Sequence, residues 1–140
     1  MAQEKLWDIL EVLNSRCREQ ETFIREHLRL SPAEYLALRR LSPGETVTCQ
    51  GLARRMGLSL SRASRVIDRL CSHGFVRRSD CAADRRCRSL RLTGQGKKVR
   101  ERIEAMRGEC EERILEDYSG ARMTGLKKDL KDLAAAFSSE

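Results

Sequence analysis

Two short amphipathic segments flank Gly57, and their spacing constrains the fold of this chain more than any other feature. Before and after this glycine, apolar residues recur at intervals of three and four. They are Leu52, Ala53 and Met56 in the first segment and Ala63, Val66, Ile67 and Leu70 in the second. A glycine just past the last apolar residue usually ends a helix. The sequence therefore predicts two helices joined by a tight turn, which is helix-turn-helix geometry.

Further helices are predicted on the N-terminal side of this pair. Apolar residues recur at spacings of three, four or seven over residues 3–28, which is typical of one long helix. Ser31, Pro32 and Glu34 then supply a cap, a proline at the first helical position and a capping box. A second helix is therefore expected to run from here to Leu41.

A pair of strands is predicted after the helix-turn-helix. Gly74 ends the fourth helix, and residues 75–79 and 88–92 have the composition of two strands. A polar loop over residues 80–87 is expected to join them, and Val47 is expected to form a third, short strand. A helix-turn-helix followed by such a hairpin is a winged helix.

The C-terminal part is predicted to form two more helices, capped by Thr93 and Thr124, the first ending near Tyr118. The first, fifth and sixth predicted helices each carry an apolar stripe, and the central winged helix is too small to cover all three. A second copy of the chain is the economical way to bury them. The sequence thus predicts a homodimer.

Positive charge is concentrated in the middle third. Residues 42–92 hold eleven arginines, no lysine and four acidic residues, whereas residues 1–41 and 93–140 are each neutral. The net charge of +7 therefore comes from this stretch. A basic block between neutral flanks indicates a surface that meets a polyanion, and arginine grips phosphate or guanine with two hydrogen bonds. An evenly solvated face is the alternative, and the helix-turn-helix favours double-stranded DNA.

The outward face of the fourth helix supplies the candidate DNA contacts. Removing the inner positions leaves Ser61, Arg62, Ser64, Arg65, Asp68 and Arg69. Residues near the N-terminus of such a helix reach base edges in the major groove, where arginine pairs with guanine. In the wing, Arg85, Arg86 and Arg88 suit a narrow minor groove, whose negative potential attracts arginine. Asp84 carries the wrong charge for such a contact and is interpreted as orienting Arg86 or another arginine near the base of the wing, the alternative being a simple turn former.

These residues lie in motifs that resemble the MarR family of bacterial transcriptional regulators. The motifs are Leu52–Ser59, Val66–Leu70, Gly74–Arg78, Asp84–Arg86 and Leu92–Gly96. The likeness covers essentially the whole chain, and its most specific elements are the Asp-x-Arg of the wing and the Leu-Thr-x-x-Gly that follows.

The resemblance implies an obligate homodimer whose first, fifth and sixth helices interlock. It implies that two winged helices read a pseudo-palindromic operator, most often for repression, and that a small ligand or an oxidant alters binding. It places Ser61, Arg62, Ser64 and Arg65 on the recognition helix, Arg86 in the minor groove, and Asp84 beside it as its acidic partner.

The expected organisation is mainly α with a small β wing. A dimerisation helix spans residues 1–30, a winged helix-turn-helix DNA-binding domain residues 31–93, and C-terminal dimerisation helices residues 94–140. No catalytic constellation, membrane-spanning run or signal peptide stands out, so a non-enzymatic cytoplasmic protein with reduced cysteines is expected.

Five of the six cysteines divide into two groups, and the sixth, Cys71, lies at the edge of the inner stripe of the fourth helix, where packing is its expected role. Cys17, Cys49 and Cys110 fall on apolar stripes and are expected in the core, with a disulfide between Cys17 and Cys110 across the dimer as the alternative. Cys81 and Cys87 flank the tip of the wing among arginines, which lower a thiol pKa. One hypothesis is that oxidation, or a metal or iron–sulfur cluster bound together with Cys71, gates DNA binding. The alternative is that these thiols are incidental and there is no cofactor.

Two other functions compete with DNA binding. In one, the winged helix is a protein-interaction module whose arginines bind an acidic partner, and DNA binding is weak and non-specific. In the other, the cysteines make the chain a small metalloenzyme or redox protein. That option needs a ligand cluster, which the cysteine spacing does not supply.

Overall fold

The computed structural model describes the backbone of residues 3–81 and 84–138, and the side chains within these ranges except those of residues 80–87. This part of the chain forms six helices and three strands. The helices are α1 (Leu6–Leu28), α2 (Pro32–Arg40), α3 (Cys49–Met56), α4 (Leu60–Ser72), α5 (Gly94–Asp117) and α6 (Ala121–Phe137). The strands are β1 (Val47–Thr48), β2 (Val76–Cys81) and β3 (Asp84–Leu92). The predicted fold class, mainly α with a small β wing, is confirmed.

The chain divides into two compact units, with the boundary inside α5. The first ends at Ala105, and the second begins at Met106. The three-part division predicted from the sequence, with boundaries after residues 30 and 93, was based on the expected dimerisation and DNA-binding roles of its parts. It stays a prediction.

Helix starts agree closely with the capping signals. The Ser31 hydroxyl accepts the Glu34 N–H at 3.1 Å, and the Glu34 carboxylate accepts the Ser31 N–H at 3.3 Å. This reciprocal pair is the predicted capping box at the start of α2. At the start of α5, the Thr93 hydroxyl accepts the Gly96 N–H at 3.0 Å, so Thr93 caps the fifth helix as expected.

The three strands form one antiparallel sheet in the order β1-β3-β2. Val47 pairs with Leu90, which pairs on its other side with Arg78. The short β1 was predicted at Val47 and is confirmed. The strands after α4 are longer than predicted, since β2 reaches Cys81 and β3 begins at Asp84. The predicted loop over residues 80–87 is therefore wrong in its extent, because the ladder pairs backbone groups and continues through a polar stretch.

The start of α6 also differs from the prediction. The helix begins at Ala121, directly after Gly120, which has a φ of 60°. Thr124 is inside the first turn, and its hydroxyl donates to the Gly120 carbonyl at 3.4 Å instead of accepting a backbone N–H. Thr124 is therefore not the cap, because glycine alone supplies the turn that ends the preceding segment.

The core of the first unit surrounds the helix-turn-helix. Leu38, Leu52, Ile67, Leu70 and Leu90 are fully buried, at 0 % exposure. Burying one such side chain contributes about 1.5–3 kcal/mol. These residues come from α2, α3, α4 and β3, so one core fixes the orientation of α4 relative to the sheet. No helix in the described part of the chain combines the length and apolar character needed to cross a membrane.

Candidate nucleic-acid interface

The turn between α3 and α4 is set by Gly57. This glycine has a φ of 67°, and its N–H reaches back to the carbonyls of Ala53 and Arg54. The N–H of Leu58 also bonds to the Ala53 carbonyl, at 3.0 Å. A left-handed residue after a helix closes it with such bonds, and glycine adopts this conformation without steric cost. The predicted helix-turn-helix therefore forms with the predicted turn residue.

Helix α4 begins at a serine cap. The hydroxyl of Ser59 accepts the N–H of Arg62 at 3.3 Å, which satisfies one of the free donors of the first turn. The predicted inner stripe, Ala63, Val66, Ile67 and Leu70, is buried. The opposite face of α4, which we call the recognition face, is consequently turned away from the core.

The recognition face carries all five candidate contacts predicted on this helix. Ser61, Arg62, Arg65 and Arg69 are exposed, and Ser64 is half-buried. Among the residues that the structure describes, none of these three arginines forms an ion pair. Their guanidinium groups are available to an anionic ligand.

The wing holds the remaining candidates. The regular pairing of β2 with β3 runs from Val76 opposite Leu92 to Asp80 opposite Arg88. The register then shifts, so that Cys81 lies opposite Asp84. Arg88 is exposed. The side chains of the other predicted wing residues, Cys81, Asp84, Arg85, Arg86 and Cys87, lie outside the described part of the structure.

An ion pair that sequence reasoning missed joins α4 to the wing. Arg78 of β2 donates to the Asp68 carboxylate at 2.5 Å, and this hydrogen bond raises the pKa of the Arg78 guanidinium above its ordinary value. Asp68 is the one acidic residue on the recognition face. Its position among arginines could have indicated an ion pair. The identity of its partner, however, depends on how β2 folds back onto α4. The ion pair ties the recognition face to the hairpin.

A second missed pair joins the end of α4 to α2. Nδ1 of His73 lies 2.6 Å from the Glu34 carboxylate, and Glu34 is only 4 % exposed. The same carboxylate closes the capping box at Ser31. Because the two residues are 39 positions apart, no local pattern predicts the contact. It fixes the C-terminal end of α4 against α2.

A third ion pair secures the segment before β1. Arg55 of α3 grips both carboxylate oxygens of Glu45 and also donates to the carbonyl of Arg40 at 2.9 Å. The hydrogen bonds from Arg55 hold the pKa of the Glu45 carboxyl at about 2, below its ordinary value of 4.5. Arg55 is thereby occupied within the fold, unlike Arg62 and Arg65.

Cys71 is half-buried in the last turns of α4. Burial raises the pKa of its thiol above the ordinary value, and the positive charge of Arg78 opposes this shift. A thiol in this environment is protonated near neutral pH and is a poor nucleophile. Within the described ranges, no group of three or more His, Cys, Asp or Glu residues could hold a metal ion. The predicted cluster of Cys71 with Cys81 and Cys87 stays untested, since the side chains of Cys81 and Cys87 lie outside the described part of the structure.

The other cysteines differ in burial. Cys17 is exposed, whereas Cys49 and Cys110 are half-buried. In the single chain α1 buries only Ile24. The expectation that Cys17 lies in a core depends on the predicted dimer and stays a prediction. Arg113 donates to the Cys110 sulfur at 3.3 Å.

Large apolar side chains are exposed on the flanking helices. On α1 they are Leu6, Trp7, Ile9, Val12, Leu13 and Phe23, with exposures of 45–60 %. On α6, Leu130 and Phe137 are 40 % and 58 % exposed, and the helix contains no buried residue. Monomeric proteins rarely expose apolar surface on this scale without a partner.

Comparison with known proteins agrees with this geometry. The sequence profile of the MarR family matches residues 30–88. An uncharacterised HTH-type transcriptional regulator of Bacillus subtilis, YfiV, is 36 % identical over 72 residues. That match covers 51 % of this chain and 45 % of the relative, so the chain spans about half of the relative's length.

Two solved structures are similar over nearly their whole length. Wild-type apo MarR of E. coli has a TM-score of 0.78 at 19 % identity, with 95 % of this chain and 98 % of that chain covered. A mutant of S. aureus MepR has a TM-score of 0.82 at 15 % identity, with 96 % and 99 % covered. At these identities the likeness concerns the fold.

Proposed function

We propose that the protein is a homodimeric transcriptional regulator of the MarR family, whose sequence profile matches residues 30–88. It binds a specific double-stranded DNA operator through α4 and the wing, and it acts as a repressor. The observation that carries the proposal is the recognition face, where Arg62, Arg65 and Arg69 are exposed without an ion-pair partner among the described residues.

The chemistry of this face suits a major groove. Arg62 and Arg65 lie in the first half of α4, the part of a recognition helix that reaches base edges. Arginine there pairs bidentately with guanine, and Ser61 or Ser64 contacts bases or phosphates. Arg69, further along the helix, is proposed to contact the phosphate backbone.

The wing is proposed to enter the adjacent minor groove. Arg86 would insert there, Asp84 would orient it, and Arg85 and Arg88 would bind the flanking phosphates. A thin basic hairpin suits a narrow minor groove, whose negative potential attracts arginine. The Asp68–Arg78 ion pair supports this arrangement, because it holds the hairpin against the helix that reads the major groove.

The homodimer is proposed to bury the exposed faces of α1 and α6. Six large apolar side chains of α1 are uncovered in the single chain, and a second copy offers a matching surface. Two-fold symmetry then places two recognition helices about 34 Å apart, one turn of DNA. Burial of Cys17 and its approach to Cys110 of the second copy would follow from this assembly.

Control by an effector is proposed to act through the wing. Because burial raises the pKa of the Cys71 thiol, an oxidant-sensing role rests on Cys81 and Cys87. The test compares the operator affinity of the wild type with that of a Cys81→Ser/Cys87→Ser variant, with and without peroxide or metal. Equal affinities under all conditions would show that these thiols have no role in regulation. A small-molecule effector would then be the remaining option.

The decisive experiment measures operator binding by Arg65→Ala. Loss of a base contact costs about 1–3 kcal/mol, a drop in affinity of about 5- to 150-fold. The exposed Arg102 of α5, changed to Ala, is the matched control for loss of one arginine, and it should change affinity much less. Dimer size and the unfolding midpoint should be unchanged in both variants. Wild-type affinity of Arg65→Ala would contradict the groove assignment.

Footprinting on the promoter beside the protein's own gene separates this function from its rival. A regulator protects a defined palindromic site, and its affinity falls with salt at a log–log slope of about −0.9 for each phosphate neutralised. An interaction module for an acidic protein gives no footprint. Absence of protection at every DNA concentration tested would favour the acidic partner.

A further inference from the structure

Two arginines face each other across the base of the wing. Arg77 of β2 is the direct partner of Arg91 of β3 in the antiparallel ladder. Both side chains are exposed. Directly opposite residues share one face of a sheet, with Cβ atoms about 4.5–5.5 Å apart, and like charges in this position are destabilising. The pair therefore lowers the stability of the fold relative to a variant with an uncharged residue at either position.

The face that carries the pair is the one turned away from the core. Neighbouring rows of the ladder, Val76 with Leu92 and Arg78 with Leu90, bury their apolar members. Since successive side chains alternate between faces, Arg77 and Arg91 lie on the opposite side, which we call the outer face. Ser79 and Ser89 form the next row of this face, and their hydroxyls bond to each other at 2.6 Å.

Among the described side chains, no carboxylate pairs with Arg77 or Arg91. The strand residues with described side chains include no Asp or Glu, and no ion pair in the described part of the chain involves Arg77 or Arg91. Two carboxylates that could approach the sheet are already bound, Asp68 by Arg78 and Glu45 by Arg55. The outer face therefore presents two free guanidinium groups on a rigid ladder.

We propose that Arg77 and Arg91 form a binding site for one phosphate group on the outer face of the wing. Two planar forks approaching from adjacent strands match the oxygens of a phosphate, and bidentate pairing satisfies both. The bound anion also relieves the repulsion between the two side chains. The phosphate comes from one of two sources, a free phosphate ion or ester, or a phosphodiester of bound DNA beyond the recognition-helix footprint. The second source rests on the function proposed above.

The first test uses inorganic phosphate without DNA. Thermal unfolding of the wild-type protein is followed with increasing phosphate at constant ionic strength, balanced with chloride. A bound ligand raises the midpoint as its concentration exceeds the dissociation constant. We expect the phosphate-specific rise to vanish in Arg77→Gln and in Arg91→Gln and to persist in Arg102→Gln. Arg77→Glu should raise the midpoint in chloride, because it converts a like-charge pair into an opposite-charge pair.

The second test measures the salt dependence of operator binding. If one DNA phosphate lies between the arginines, the log–log slope becomes shallower by about 0.9 in either single variant, and the double variant adds nothing further. The Arg102→Gln control keeps the wild-type slope.

The two tests together decide the proposal. A phosphate-specific stabilisation identifies a free ion or ester, and a change of slope without it identifies the DNA backbone. If the variants behave as the control does in both tests, the proposal is wrong. Should the wild type bind no duplex, the proposed function fails, and the thermal test alone decides whether this site exists.

Discussion

Gly96, in the first turn of α5, offers the sharpest test of how the wing joins the rest of the fold. A Cβ at this position would lie 2.0 Å from the carbonyl oxygen of Phe75 and 2.9 Å from its carbonyl carbon. Carbon atoms in contact normally lie about 3.5–4.0 Å apart, so α5 or the segment at Phe75 would have to shift by more than about 1 Å. The obstacle is backbone, which a rotamer change cannot relieve.

The shift would disturb a small network of hydrogen bonds. The Phe75 carbonyl accepts the Thr93 N–H at 3.0 Å, and the Thr93 hydroxyl donates to the Gly74 carbonyl at 2.5 Å. Overpacking costs about 1–3 kcal/mol, and one weakened hydrogen bond adds about 0.5–1.5 kcal/mol. Alanine recovers up to about 1 kcal/mol through its better helix propensity. Gly96→Ala should therefore lower the free energy of unfolding by about 1–3 kcal/mol.

Urea unfolding measures this change. For a slope of about 2 kcal/mol per molar, a loss of 2 kcal/mol lowers the midpoint by about 1 M. The matched control is Gly94→Ala, two residues earlier in the same helix, where a Cβ meets nothing within 4 Å. That variant should be neutral or more stable by about 0.4–1 kcal/mol. Equal midpoints for the two variants would refute the steric argument.

Two further predictions concern local stability. Ser59→Ala removes the cap of α4 and should lower the free energy of unfolding, measured in urea, by about 1 kcal/mol. The control Ser72→Ala, at the exposed end of the same helix, should change it by less than about 0.5 kcal/mol. An equal loss in both variants would contradict the stabilising role of the cap. Glu45 has a folded-state pKa of about 2 against an ordinary 4.5, so its ionised form stabilises the fold above about pH 4.5, and this contribution is lost as the pH falls towards 2. The urea midpoint of Glu45→Gln should therefore lie below that of the wild type at pH 7, and the gap should narrow as the pH falls from about 4.5 towards 2. A gap independent of pH would contradict the ion pair with Arg55.

The sequence predicted what local chemistry determines. The inner stripe of α4 and the role of Gly57 follow from periodicity and from the conformational freedom of glycine, and both are confirmed. The capping box at Ser31 is likewise contained in four consecutive residues. Such signals need no knowledge of the rest of the chain.

The features that were missed depend on distant parts of the chain. The bonds of Glu34 with His73 and of Asp68 with Arg78 join different elements, so neither partner identifies the other. The extension of the wing strands depends on backbone pairing, which leaves no apolar pattern. Cys17 lies on an apolar stripe and is exposed in the single chain, and periodicity does not say which surface covers a stripe.

The ion pair between Asp68 and Arg78 has a consequence for protein engineering. If α4 reads DNA as proposed, changing the preferred DNA sequence means replacing the outward residues of this helix. One of those residues, Asp68, also binds Arg78 of the hairpin. In the described structure the buried Nε of Arg78 has no hydrogen-bond partner. A transplant that replaces Asp68 would remove this ion pair between the helix and the hairpin, so a design that preserves their connection keeps the aspartate or exchanges both members of the pair together.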